Sequence, residues 1–141
     1  MENNYTNPTS LVVHDFNIPN HTEELHKAEL LIKKYQTILK NHIKRKHISN
    51  IEFEFLYDET FRVLDYVGRL SSSIFLLENE IEDFYIKKYI HSPELAKKLW
   101  LDYYDNIHHP YDLLKNRCFR ILDDLDELYI NVHHKNPPNW C

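Results

Sequence analysis

Apolar residues recur in steps of three and four along the middle of the chain. The series is Phe53, Leu56, Val63, Val67, Leu70, Ile74, Leu77, Ile81 and Phe84, and Thr60 interrupts it. This spacing keeps one stripe of a helix facing a partner helix for roughly nine turns, as in a coiled coil. The pattern predicts an all-α protein, an elongated antiparallel helical bundle.

Two other stretches carry a seam of the same kind. The first runs through Leu25, Ala28, Ile32, Tyr35, Leu39 and His42, and the last through Trp100, Tyr104, Ile107, Tyr111, Leu114, Cys118, Ile121, Leu125, Leu128 and Val132. Long helices joined by short turns run antiparallel to their neighbours. We therefore predict three long helices, or four or five if the chain breaks near Gly68 and Pro110.

Local signals indicate where these helices begin. Asn20 or Thr22 can cap the first helix, and Ser49-Asn50 form the turn into the second. The third should begin at Ser92-Pro93-Glu94, which combines a capping serine, a proline at the first helical position and an acid.

Weak helix formers interrupt two of the helices. Gly68 and the triplet Ser71–Ser73 lie within the second helix, but the apolar phase continues across them, so we expect one helix to about Ile90. Pro110 should kink or break the third helix near His108-His109.

The ends of the chain differ from its middle. Residues 1–20 read as an extended arm whose patch Leu11-Val12-Val13, with Phe16, either lies on the bundle or meets a partner. Residues 21–134 form a single helical-bundle domain in this interpretation, and residues 135–141 an irregular tail whose prolines stop the helix.

Composition indicates a soluble intracellular protein. Hydrophobic residues make up 43% of the chain, yet no uncharged apolar run could span a bilayer and no secretory signal is present. A cytoplasmic location, including that of a host cell, is the expectation. Cys118 and Cys141 do not form a disulfide framework or a zinc motif, and Cys118 falls on a seam, so we expect a buried thiol.

The net charge of −5 is unevenly distributed. Residues 1–50 carry seven Lys and Arg against five Asp and Glu, whereas residues 51–141 carry ten against seventeen. This balance does not favour direct nucleic-acid binding. The basic run Lys44–His47 is typical of the last turn of a helix, and a site for phosphate or an acidic partner is the alternative.

Two acidic clusters are candidate binding surfaces. They consist of Glu78, Glu80, Glu82 and Asp83, and of Asp123, Asp124, Asp126 and Glu127. Such clusters are typical of the solvated face of a helix, but an acidic face can also attract a basic partner or mimic nucleic acid.

Metal chemistry has weaker support. His108 and Asp112 have i, i+4 spacing, but Pro110 lies between them. Asp102/Asp105 and Asp123/Asp126 copy the spacing of the Mg²⁺-binding acids in all-α nucleotide pyrophosphatases, although the surrounding sequence does not resemble that family. A metal-dependent nucleotide hydrolase using these four aspartates is the alternative hypothesis, and we expect no cofactor.

The leading hypothesis is a non-enzymatic interaction module. The first helix covers only part of the longer second one, which leaves apolar seam for a protein partner or a homodimer. The small size, the acidic balance and an amino-acid usage typical of AT-rich genomes fit an inhibitor or adaptor of phage or mobile-element type.

Overall fold

A computed structural model describes residues 16–138, in which the regular secondary structure is helical and no strand is present. The helices are α1 (Thr22–Arg45), α2 (Asn50–Lys88), α3 (Pro93–Tyr103) and α4 (His109–His133). A π-helical turn, Tyr104–His108, joins α3 to α4. The prediction of an all-α bundle with three long helical stretches is confirmed, and the third stretch is joined from pieces.

Helix α1 begins where its capping signal predicts. The Asn20 side-chain oxygen accepts hydrogen bonds from the Thr22 backbone N–H at 3.1 Å and from the Thr22 hydroxyl. All six predicted seam residues of this helix are buried. The helix ends at Arg45, and Lys46 then takes a left-handed conformation with φ 54°.

Helix α2 begins with a reciprocal capping box. The Glu52 carboxylate accepts a hydrogen bond from the Ser49 N–H at 3.0 Å, and the Ser49 hydroxyl accepts one from the Glu52 N–H at 3.1 Å. The hydrogen bond from the Ser49 backbone N–H, followed by one from the Ser49 side chain, holds the pKa of the Glu52 carboxyl group below its usual value. Ile51, Phe53 and Phe55 alternate with Glu52 and Glu54 as residues of a strand would, but they lie within this helix, in phase with its seam through Phe53.

Gly68 does not break α2. The hydroxyls of Ser71 and Ser72 donate to the Gly68 carbonyl at 2.9 and 3.1 Å, and that of Ser73 donates to the Leu70 carbonyl at 3.0 Å. The serines satisfy their hydroxyls inside the helix, which continues to Lys88.

The predicted seam of α2 is wrong at its end. Phe84 is 39% exposed, whereas the neighbouring Tyr85 is 1% exposed. The seam steps by four residues from Ile81, so it reaches Tyr85 rather than Phe84. Thr60, the predicted interruption, is fully buried, and its hydroxyl has no hydrogen-bond partner in the described part of the chain.

Helix α3 begins at Pro93, as predicted, but its cap differs. The Ser92 side chain makes no capping hydrogen bond. Its backbone carbonyl instead accepts hydrogen bonds from the N–H groups of Leu95 at 3.0 Å and Ala96 at 3.2 Å. The helix start therefore depends on proline geometry more than on the serine hydroxyl.

Pro110 produces a wide turn rather than a reversal. Proline has no N–H to donate and its ring clashes with the carbonyl four residues earlier, and the π-helical turn lies directly in front of it. The wide turn shifts the helical phase by one residue. Leu99 and Tyr103 are therefore buried, and the predicted seam residues Trp100 and Tyr104 are half-buried.

The described residues form two compact units. The three-helix unit comprises residues 27–66 and 114–138, and the hairpin unit comprises residues 16–26 and 67–113. In the three-helix unit, α1 and α2 are antiparallel, because Tyr35 donates to Glu59 at 3.0 Å while His42 lies 3.9 Å from Glu52. In the hairpin unit, the chain reverses direction between α2 and α3, and the Tyr103 hydroxyl of α3 donates a hydrogen bond to the Ile74 carbonyl of α2.

The N-terminal arm contacts the hairpin unit where it is described. The Phe16 ring meets the rings of Phe84 and Tyr85 edge-on at 5.2 and 6.3 Å. The predicted patch Leu11-Val12-Val13 and the tail residue Trp140 lie outside the described residues.

No helix within residues 16–138 combines the length and hydrophobicity needed to cross a membrane.

Candidate functional site

The first acidic cluster lies on α2 in the hairpin unit and its members have different surroundings. Glu80, Glu82 and Asp83 are exposed, whereas the Glu78 side chain is 27% exposed. Glu78 points to the ring of His108, which is 10% exposed. The cluster therefore divides into one internal acid and three acids on the surface.

Glu78, His108 and Asp112 form a cluster that we call the His108 cluster. The His108 Nδ1 atom faces the Glu78 carboxylate, and Nε2 lies 3.0 Å from the Asp112 carboxylate. The imidazole stacks on the ring of Tyr104 at a centroid distance of 4.8 Å and meets the ring of Phe75 in a tilted contact at 4.6 Å. The π-helical turn places His108 at this position, one turn before Asp112.

The His108 cluster is suited to linking helices. The two ring nitrogens face carboxylates on different helices, so one ring can link α2 to α4. Both nitrogens already face carboxylates, so neither is open to take a proton from a substrate. The geometry therefore fits a structural ion pair better than a general base.

The tyrosines near this cluster are firmly protonated. The Tyr103 hydroxyl donates to the Ile74 carbonyl at 3.0 Å, and burial, together with the nearby Glu78 carboxylate, raises the pKa of Tyr103. Burial also raises the pKa of Tyr111 to about 12, and its hydroxyl lies 2.9 Å from His21 Nδ1. These hydroxyls stay neutral at physiological pH and tie the unit together.

The second acidic cluster lies on α4 in the three-helix unit. Asp123, Asp124 and Glu127 are exposed, and Asp126 is half-buried with one carboxylate oxygen inaccessible to solvent. The structure does not test whether either cluster binds a partner, and both stay predictions.

The four aspartates of the hydrolase hypothesis are divided between the units. Asp102 and Asp105 belong to the hairpin unit, where the Asp102 carboxylate accepts a hydrogen bond from the Asn106 amide at 3.0 Å, and Asp123 and Asp126 belong to the three-helix unit. Among residues 16–138, no group of three or more His, Cys, Asp and Glu side chains could hold a metal ion. The hydrolase hypothesis stays untested.

An apolar groove lies at the tip of the α2–α3 hairpin. It has a volume of about 270 Å³, and we call it the hairpin groove. Its lining residues are Glu82, Ile86, Tyr89, Ile90, Pro93, Ala96, Lys97 and Trp100. Ala96 is buried, while Ile86 and Ile90 are 51% and 67% exposed. Two aliphatic side chains are thus exposed to solvent beside the half-buried aromatic rings of Tyr89 and Trp100.

The rim of the hairpin groove carries both signs of charge. Glu82, a member of the first acidic cluster, lies on the α2 wall, and Lys97 lies on the α3 wall. Neither has an ion pair within the described residues. The groove therefore joins apolar surface to part of the acidic cluster predicted from the sequence.

Sequence reasoning missed most of this groove. Ile86 and Ile90 are four apart and off the main seam, so they share a face of α2 that the core does not cover. This four-residue spacing is the sequence signal that could have identified the α2 wall of the groove. The opposing wall could not be read from the sequence, because the wide turn before α4 alters which α3 residues face inward.

No family model, curated protein or solved structure matches the chain.

Proposed function

We propose that the protein is a non-enzymatic interaction module, an inhibitor or adaptor that binds a different protein through the hairpin groove. The observation that supports this most directly is the pair of exposed isoleucines, Ile86 and Ile90, in a groove that also contains Tyr89 and Trp100. Exposed apolar patches rimmed by polar groups mark interaction sites, and Tyr and Trp are common anchors of binding energy.

The dimensions of the groove favour a segment of protein over a small molecule. Its volume of about 270 Å³ lies at or below the low end of small-molecule sites. Its two walls are antiparallel helices, as in grooves that receive the apolar face of an amphipathic helix. We therefore propose such a helix as the occupant.

The charged rim supports an orientation for this helix. A cation beside Glu82 and an anion beside Lys97 would complement the two walls, and reversing the helix would place like charges together. Charge reversal at Glu82 should slow association and make it less sensitive to salt, which a kinetic binding assay would measure.

The proposal is tested by comparing two doubly substituted proteins. Ile86→Ser with Ile90→Ser alters the groove, and Leu76→Ser with Leu113→Ser is the control, because Leu76 and Leu113 are 79% and 45% exposed in the same unit outside the groove lining. Each tagged protein is purified from an extract of the native host, and the retained proteins are quantified.

The groove substitutions should lower recovery of one specific partner at least about tenfold, while the control retains it. Equal recovery by both variants would contradict the proposal. Retention of a second copy of the chain in place of another protein would also contradict it, because the groove would then be a homodimer interface.

A further inference from the structure

A second groove, between α1 and α4 in the three-helix unit, has the opposite electrostatic character. Its volume is about 570 Å³, and we call it the basic groove. The residues that carry the argument are Lys33, Lys40, Ile43, Arg120, Ile121 and Asp124. Three cations thus face one acid.

Two of these cations lack a partner. Lys40 and Arg120 are exposed and make no ion pair or side-chain hydrogen bond within residues 16–138. Lys33 is 55% exposed, and its ion pair with Glu29 is long, at 3.7 Å. Glu29 also pairs with Arg117 at the shorter distance of 3.2 Å. The surface therefore offers charge that the protein itself does not neutralise.

The sequence concentrates this charge on α1. Residues 33–46 contain six Lys and Arg and no Asp or Glu. Lys33, Lys40 and Lys44 are seven and four residues apart, which places them on one face of the helix. Helix-end electrostatics explains the charge at Lys44–Lys46 but not that at Lys33 and Lys40, which lie further from the terminus.

The floor of the basic groove is aliphatic and held in place. Leu39 and Ile121 are buried in the core, and Ile43 is 45% exposed above them. Arg117 bridges the two walls, since one guanidinium nitrogen contacts Glu29 and another donates to Gln36 at 2.9 Å. The groove is thus formed before any ligand arrives.

We infer that the basic groove binds an acidic amphipathic segment of a partner protein. An apolar side chain of that segment would pack on Ile43 and Ile121, and its carboxylates would meet Lys40 and Arg120. This site lies in a different unit from the hairpin groove and does not depend on the proposed function.

The same features argue against nucleic acid as the ligand. The floor offers no aromatic ring on which a base could stack. Asp124 on the α4 wall would repel a continuous phosphate backbone, whereas a peptide can place its carboxylates away from it.

The test uses a short capped helical peptide of Glu, Leu and Ala, with Leu on one face and Glu flanking it. Binding to the full-length protein is followed by fluorescence anisotropy and by changes in amide NMR signals. We expect saturable binding that perturbs α1 and α4 around the groove, and loss of that binding when Glu in the peptide is replaced by Gln.

Substitutions in the protein should act in opposite directions. Lys40→Gln with Arg120→Gln should weaken binding at least about fivefold, because two attractions are lost, and Asp124→Asn should strengthen it about two- to fivefold, because one repulsion is removed. Lys27→Gln with Lys34→Gln is the matched control, since both lysines are exposed on α1 outside the groove.

Three outcomes would overturn the inference. The first is that the peptide does not bind, and the second is that the control substitutions weaken its binding equally. The third is that single-stranded oligo-dT of similar length binds more tightly than the peptide and that Asp124→Asn strengthens this binding as well. The last result would assign the groove to nucleic acid.

Discussion

Glu52 illustrates how a single side chain fixes the start of a long helix. Its carboxylate accepts a hydrogen bond from the Ser49 backbone N–H, and this contact lowers the pKa of the carboxyl group in the folded protein. The Ser-x-x-Glu spacing that produces the capping box is visible in the sequence. The contact makes stability depend on pH.

Glu52→Gln should be less stable than the wild type at pH 7. Because the folded-state pKa of Glu52 is lowered, its ionised form adds stability above the usual pKa of a glutamate, and this stability is lost as pH falls through the folded-state value. Urea unfolding at pH 7 and at pH 3 should show a difference that shrinks at the lower pH. Glu54→Gln, at an exposed glutamate in the same turn, is the control. A difference that does not depend on pH would contradict this assignment.

Cys118 should be unreactive in the folded protein. Burial raises the pKa of its thiol to about 11, so almost none is ionised at pH 8. In a Cys141→Ser variant, a thiol reagent at pH 8 should modify Cys118 only after guanidinium is added. Rapid modification of the native variant would show that the thiol is accessible.

At the level of elements, the ends of helices were more predictable than the contacts between them. Asn20, Ser49 and Pro93 each act through backbone groups only a few residues away, so local spacing reports them. The pairing of Glu78 with His108 joins residues thirty positions apart, and no local pattern encodes it. The core contains Leu99 where the sequence pattern predicted Trp100. Local spacing could not report this either, because it depends on the width of the turn before Pro110.

Gly68→Ala should stabilise α2. Gly68 does not have a positive φ, and a Cβ added there would meet no atom within 4 Å. Alanine should therefore raise the free energy of unfolding by about 0.5–1 kcal/mol, because glycine loses more conformational freedom in a helix. Chemical denaturation measures the change. A lower stability would show that the helix needs flexibility at this position.

The His108 cluster should contribute measurably to the packing of α2 against the third helical stretch. His108→Gln should lower the free energy of unfolding by roughly 2–3 kcal/mol, since it leaves two partly buried carboxylates without their shared partner. A double-mutant cycle with Glu78→Gln separates the ion pair from lost ring stacking. Strictly additive effects of the two substitutions would contradict an interaction between His108 and Glu78. An equal loss of stability in the exposed control His91→Ala would contradict it as well.

For the whole molecule, the sequence predicted surplus apolar surface but not its position. That prediction concerned uncovered seam on α2, whereas the exposed Ile86 and Ile90 of the hairpin unit lie off the seam. The grooves require two helices each, so their lining could be known only from tertiary structure. If both proposed grooves bind a protein, the chain would be an adaptor that holds two partners rather than an inhibitor that blocks one.

The most direct test of the central claim is native mass spectrometry of the protein purified gently from its own host. We predict a complex of the chain with a different protein, and loss of that protein when Ile86 and Ile90 are replaced by serine. The chain alone in both spectra, or the chain alone with a stoichiometric metal ion, would contradict the account and direct attention to the carboxylates and histidines.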